Sequence, residues 1–284
     1  MSRVALWLLP FALAQIGGSL AGQQADTSAP RSGISLAPSV VMLSARPGQS
    51  FRQTLRLTNH TSRELSFRLE AQDVLAENGR RTFFAAGEHD GSIAATAVFS
   101  PKGVVIAPGA VAAVDVTLTM PQQSPLRGVA AIFRGQSVVG TQNGVAMTAS
   151  LGSLITFNVS DRTDLEAADP QTSAQTDTRN LGVSELVTNV GDEPVVAGGA
   201  AAFLTASGTL VGKVPVEPQR LMPGERLAFG AEYPTLLAAG RYRVVLSLEY
   251  DDHLHKVLTR TVEFAVPAAG LARGDADRGP GGRR

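Results

Sequence analysis

Apolar and polar residues alternate along most of this chain with the period of an extended strand. Phe51, Leu55 and Leu57 take turns with Arg52, Thr54, Arg56 and Thr58, which gives one buried and one wet face. Leu65, Phe67, Leu69 and Ala71 do the same against Glu64, Ser66, Arg68 and Glu70. Asn59-His60-Thr61-Ser62 between the two runs is turn chemistry, so a hairpin is predicted. Val114, Val116, Leu118 and Met120 alternate with Asp115, Thr117 and Thr119. Further on, Tyr242, Val244, Leu246, Leu248 and Tyr250 face away from Arg241, Arg243, Ser247 and Glu249. Residues 76–100 are less regular: Asn78-Gly79 marks a turn, and Phe83-Phe84 read either as core plugs or as an exposed apolar spot. Past the N-terminal stretch no amphipathic helix is predicted, because Gly and Pro recur at the spacing of sandwich turns.

One phrase occurs twice. Val105-Ile106-Ala107-Pro108-Gly109 is followed by an alternating strand, Pro121, Leu126-Arg127-Gly128 and another apolar run. Arg220-Leu221-Met222-Pro223-Gly224 is followed by an alternating strand, Pro234, Ala239-Gly240 and another apolar run. Upstream of each copy a strand closes on Thr-Asn, at Thr58-Asn59 and Thr188-Asn189. A unit repeated at domain spacing predicts an all-β chain of two immunoglobulin-like β-sandwich domains in tandem. The first spans 34–160 and the second 180–266. Residues 161–179 are polar, carry Pro170 and almost no large apolar side chains, and read as a linker. Residues 22–33 read as a flexible N-terminus and 267–284, rich in Gly, Arg and Asp, as a disordered tail.

The start of the chain changes the picture of where this pair works. Arg3, the apolar run Val4 to Ile16 and Ser19-Leu20-Ala21 form the pattern of an export signal over residues 1–21. A bilayer span needs about 18–20 apolar residues, and this run ends sooner, in Gly17-Gly18-Ser19. The expected location is therefore the periplasm or the cell surface, with no membrane span after cleavage. The chain has no cysteine, which excludes disulfides, thiol chemistry and a lipid-bearing Cys at the cleavage site. The 25 basic and 25 acidic residues of the 284 balance, so no global field argues for nucleic acid or an anionic membrane.

Catalytic patterns are missing: there is no phosphate-cradling glycine loop, no G-x-S-x-G elbow and no H-E-x-x-H. His253 and His255, with Asp251 and Asp252 alongside, could share a strand face as metal ligands. A polar hairpin tip accounts for the same residues, and no metal and no cofactor are expected. Asn59-His60-Thr61 and Asn158-Val159-Ser160 match the short N-glycosylation triplet. The expectation is a non-catalytic protein with no catalytic residue to name.

One segment does invite a function. After Asn143-Gly144, the residues Val145, Met147, Ala149 and Leu151 alternate, and Ile155, Phe157 and Val159 continue the run. Gly152-Ser153 interrupts it and predicts a bulge or bend. Such a closing strand either lies in the core or presents a sheet edge that accepts a partner strand. The four residues Val145, Met147, Ala149 and Leu151 are the candidate partner-binding site.

Asn143 to Leu151, followed by Leu154-Ile155-Thr156-Phe157, is similar to the last strand of the first domain in the periplasmic pilus chaperones. That family is also built from two immunoglobulin-like domains behind a signal peptide. The resemblance implies that the strand completes the fold of a pilin-like subunit. The family anchors the subunit's C-terminal carboxylate with one Arg and one Lys. Those positions fall here near Val40 or Val41 and near Thr156, none of them basic, so the anchor is not carried over. A second resemblance rests on Pro47-Gly48-Gln49-Ser50, Thr58-Asn59, Pro108-Gly109 and Arg127-Gly128-Val129. It continues in Asn189-Val190-Gly191, Met222-Pro223-Gly224 and Ala239-Gly240-Arg241-Tyr242. These look like the two domains of the WxL-interacting surface proteins, which implies contact with cell wall or peptidoglycan. The leading expectation is an exported protein that binds another envelope protein by strand addition, with a chaperone-like role in surface appendage assembly. The alternative is a structural surface protein contacting cell wall or partner proteins.

Overall fold

The computed structural model describes residues 33–142, 145–173, 181–234, 237–251 and 254–266, and over 137–142 and 145–148 the backbone alone. The stretch expected to be an export signal, the rest of residues 1–32, the C-terminal residues 267–284, Asn143-Gly144, Asp252 and His253 lie outside the described residues. Among the described residues no helix is long and apolar enough to cross a membrane.

Ten strands build the first sandwich: β1 Ile34–Ala37, β2 Val40–Ser44, β3 Ser50–Asn59, β4 Leu65–Glu77, β5 Arg80–Ala85, β6 Val98–Ser100, β7 Gly103–Ile106, β8 Val111–Thr119, β9 Gly128–Gln142 and β10 Val145–Asn158. One sheet runs β1-β3-β8-β6 and the other β2-β10-β9-β4-β5, with β7 also beside β4. The alternation delivers the core: Leu55, Leu57, Leu65, Phe67, Val114, Val116, Phe133, Ile155 and Phe157 are buried together between the sheets. Of the two roles foreseen for Phe83 and Phe84, the exposed spot falls to Phe83, and Phe84 is half-buried. Phe84 packs edge-on against His89 with centroids 4.4 Å apart, while Phe83 is 52% exposed on the outer face.

The second sandwich pairs β11 Leu165–Ala167, β12 Gln171–Thr172, β13 Leu181–Asn189 and β16 Arg226–Tyr233 in one sheet. Its other sheet orders β15 Leu210–Leu221, β14 Val195–Thr205, β17 Gly240–Tyr250 and β18 Lys256–Val266 as β15-β14-β17-β18. Its core gathers Leu165, Val183, Val187, Ala201, Phe203, Phe229, Val244, Leu246 and Leu248. The expected linker 161–179 therefore differs from the structure over its first part. β11 and β12 both pair with β13, and Leu165 is buried in the second core. Main-chain bonding to β13 and one buried leucine suffice to order this stretch. The Thr163 hydroxyl bonds to Asp251 and the Lys256 ammonium to the Thr163 carbonyl, tying it to the β17–β18 hairpin.

The repeated phrase has a structural cause. In each sandwich a buried Asn at the end of a strand holds a Pro-Gly turn. The Asn59 amide donates to the carbonyls of Arg63, Ile106 and Ala107 at 2.7, 3.0 and 3.2 Å. The Asn189 amide donates to the carbonyls of Glu193 and Leu221 at 2.8 and 3.1 Å. The backbones match as well: Gly109 and Gly224 donate to the carbonyls of Asn59 and Asn189 at 2.9 and 2.8 Å. Each glycine follows its proline with φ of 71° and 77°, the left-handed value that the third residue of a type II turn requires. Asn59 is fully buried with its amide engaged, which accounts for the triplet at 59–61 without a glycan. Replacing Asn59 or Asn189 by Ala should cost about 2–3 kcal/mol each, because buried carbonyls lose their donors. Urea denaturation of the two variants checks this, and a loss under 0.5 kcal/mol would refute the role.

Candidate functional site

β10 is two different strands in sequence. From Leu154 to Asn158 it lies inside its sheet, parallel to β2 on one side and antiparallel to β9 on the other. From Val145 to Gly152 it pairs with β9 on one side, and among the described residues no strand flanks the other. The change occurs at Pro38. Leu154 N–H donates to the Ser39 carbonyl at 2.9 Å, and Ser153 Oγ donates to the Pro38 carbonyl at 2.8 Å. Proline has no N–H to continue a ladder, and beyond it the chain turns away into β1, which pairs with β3.

Alternation fixes which groups face the open side. Leu154 N–H points toward β2, whereas Phe157 N–H bonds to the Arg127 carbonyl on the β9 side at 2.9 Å. Even-numbered residues therefore turn their N–H and C=O away from β9, and Gly152 and Ser150 carry this pattern up the free edge. The candidate site residues meet this edge unequally. Val145 stands opposite Gln142, Met147 opposite Gly140 and Leu151 opposite Phe133. Leu151 is half-buried and packs on the first core, and Ala149 is half-buried; the side chains of Val145 and Met147 lie outside the described residues. The four do not share one unbroken face, because the register shifts between Met147 and Thr148 and again between Thr148 and Ser150. This corrects the expected bulge at Gly152-Ser153, which stay in regular register with Ile132 and Ala131. The irregularity is set on the neighbouring strand. A Cβ on Gly135 would lie 2.1 Å from the Ala149 carbonyl oxygen, so only glycine lets the two backbones approach there.

The outer face of the sheet carries an open depression of about 430 Å³ lined in part by Phe83, Ile132, Leu154, Gly152, Arg81 and Arg134. Val41 and Thr156, near which the family's anchoring cations would fall, are brought together: Thr156 Oγ1 donates to the Val41 carbonyl at 3.2 Å. The guanidiniums lie elsewhere on this face. Arg134 and Arg68 share Glu70 at 2.8 and 3.6 Å. Arg81 pairs with Glu225 at 2.8 Å and also donates to the Arg220 carbonyl at 3.0 Å. Burial, and then the charge of Arg81, holds the Arg220 guanidinium below its ordinary pKa, and its Nε and Nη1 are buried without a hydrogen-bond partner.

Two carboxylates of the second sandwich close the junction with the first. Glu193 is 0% exposed and accepts from Arg127 Nε at 3.0 Å, Val159 N–H at 3.0 Å and Ser160 Oγ at 2.7 Å. Glu225 accepts from Arg81 and from Met222 N–H at 2.8 Å. Met222 itself is buried against Val74 and Ala130. Nothing in the residue pattern singles out Glu193 or Glu225, since neither belongs to a motif and each partner lies far along the chain. Among the described residues no group of three or more His, Asp or Glu side chains gathers as a metal site.

No protein family matches the chain, and no curated protein matches it. Solved structures with a similar course include the class 5 fimbriae chaperone CfaA, 13% identical over 81% of this chain and 98% of that chain with a TM-score of 0.42. The CsuC–CsuE chaperone–subunit pre-assembly complex of Acinetobacter baumannii is 8% identical over 81% of this chain and 97% of that chain, with a TM-score of 0.40. The E. coli chaperone DraB is 14% identical over 82% and 97%, with a TM-score of 0.35.

Proposed function

We propose that this chain is an exported, non-catalytic protein that binds another extracytoplasmic protein by adding that partner's strand to the free edge of β10, in a chaperone-like role in surface appendage assembly. The observation that carries the reading is the edge itself: a strand held inside its sheet from Leu154 that continues past Pro38 with one side unpaired among the described residues. Its unpaired N–H and C=O groups supply affinity through main-chain hydrogen bonds, and side chains beside them supply selectivity. The chaperone-like part rests on the resemblance of residues 143–157 to the closing strand of the pilus chaperones.

Ser150→Pro tests the edge. Ser150 turns its N–H outward, so proline there removes a rung offered to the partner without removing one shared with β9. The thermal midpoint should change by no more than a few degrees, while capture of the envelope protein that binds the wild type falls at least about tenfold. Equal capture by the variant would overturn the reading. Co-sedimentation of both forms with isolated peptidoglycan would favour the structural, wall-contacting alternative.

A further inference from the structure

We propose that the edge of β10 reads its partner by side chain as well as by backbone: the added strand carries an apolar residue opposite Gly152 and an acidic residue opposite Ser150, two positions away. This rests on the strand-addition reading above and specifies the partner that reading leaves open.

Side chains form rows across the outer face of the sheet. Gly152 stands opposite Ile132, and Ile132 opposite Glu70; Ser150 stands opposite Arg134, and Arg134 opposite Arg68. One row below, Leu154 stands opposite Ala130. A strand added where β2 would continue places every second side chain on this same face, about 4.8 Å beyond β10. Beside Gly152 that side chain meets no obstacle. A Cβ built on Gly152 has its nearest neighbours at 3.8 and 3.9 Å, the Ala131 carbonyl oxygen and Ile132 Cγ1, so the glycine leaves open the way from the edge to Ile132. A leucine or phenylalanine from the partner can lie across it, touching Ile132 in its row and Leu154 on the diagonal. The depression these residues line also takes in Ser150 of the same edge, so a strand seated there lies beside it.

The neighbouring row has the opposite chemistry. Past the small Ser150 hydroxymethyl lies Arg134, whose side chain is 46% exposed and shares the single carboxylate of Glu70 with Arg68. Two guanidiniums on the one carboxylate of the neighbouring row leave the cluster one positive charge in excess. Arg81, which also lines the depression, is already paired with Glu225, so the free excess lies at Arg134. An acidic side chain opposite Ser150 balances that excess and accepts charge-assisted hydrogen bonds, whereas a lysine there meets like charge.

Three short fluorescein-labelled peptides provide the test. All alternate valine with threonine, and they differ at the centre: Asp-Thr-Phe, Lys-Thr-Phe or Asp-Thr-Ala. Fluorescence anisotropy with the full chain should show the first bound about tenfold more tightly than either other peptide. Gly152→Leu should fill the row and abolish the preference for Phe over Ala. Arg134→Glu should reverse the preference toward Lys-Thr-Phe; if that variant fails to fold, Arg134→Gln should erase the preference for Asp without reversing it. Equal binding of all three peptides would overturn the side-chain code and leave the edge reading standing. Binding of none of them to the wild type would overturn both.

Discussion

Replacing Glu193 by Ala is expected to destabilise the protein by about 3–5 kcal/mol, the range for breaking a buried ion pair from one side. The size follows from what Glu193 holds. Its carboxylate accepts from Arg127, from Val159 N–H and from the Ser160 hydroxyl. With the carboxylate gone, the Arg127 guanidinium stays buried, its side chain only 11% exposed, without its counter-charge. The end of β10 loses its cap in the same step. Arg127→Met combined with Glu193→Met removes both charges and should recover part of the loss, because no uncompensated charge remains. Since the pair joins the two sandwiches, the single variant should also convert one denaturation transition into two. Urea titration followed by tyrosine fluorescence, which reports the second sandwich through Tyr233, Tyr242 and Tyr250, and by circular dichroism, which reports both, measures both effects. A single coincident transition with a loss below 1 kcal/mol would show that the pair contributes little.

Stability should also fall as pH rises from about 4.5 to about 7, by roughly 3 kcal/mol, through one residue of the second core. Glu185 on β13 points inward with Val183 and Val187, is 2% exposed, and has no hydrogen-bond partner for either carboxylate oxygen. Burial raises its pKa from 4.5 to about 7, and the charge of Arg260 offsets only part of that rise. Between those pH values the folded chain holds a proton that the unfolded chain releases, so folding weakens with rising pH and levels off above the folded value. A shift of this size corresponds to about 3 kcal/mol at 1.36 kcal/mol per pH unit. Glu185→Met should flatten this part of the profile and make the protein more stable than the wild type at pH 8, with a smaller difference at pH 5. An unchanged slope in the variant would assign the pH dependence to other groups.

What could be read from the sequence, and what could not, divides by the range of the interaction. The alternation at 51–58 and 65–71 survives intact because each side chain's burial is decided by its own strand. The twin Pro-Gly phrases were legible for the same reason: Asn59 and Asn189 act on turns whose residues are chemically distinctive wherever they occur. β11 was not legible, since a three-residue strand with Leu165 as its one large apolar residue has no period to detect. The bulge was misplaced because Gly152 was the visible irregularity, while the register is set by Gly135 on the adjacent strand. The ion pairs were out of reach altogether: Arg127 and Glu193 are 66 residues apart, Arg81 and Glu225 144 apart. The candidate strand was found by its pattern, but its open edge depends on where a different segment, β2, begins.

That beginning works as a length stop. The segment before β3 is stitched into both sheets, β1 to β3 and β2 to β10, with Pro38 and Ser39 as the crossing. Whatever covers Leu154 to Asn158 does so from the N-terminal side of the molecule, held by a short parallel ladder. Tension applied at that end would load the ladder directly, and peeling Val40–Ser44 away would extend the exposed template from Gly152 down to Asn158. A proline placed earlier or later in this segment would lengthen or shorten the same ruler. The reach of the open edge is thus adjustable by the residues that precede the first sandwich's core, without altering β10 itself.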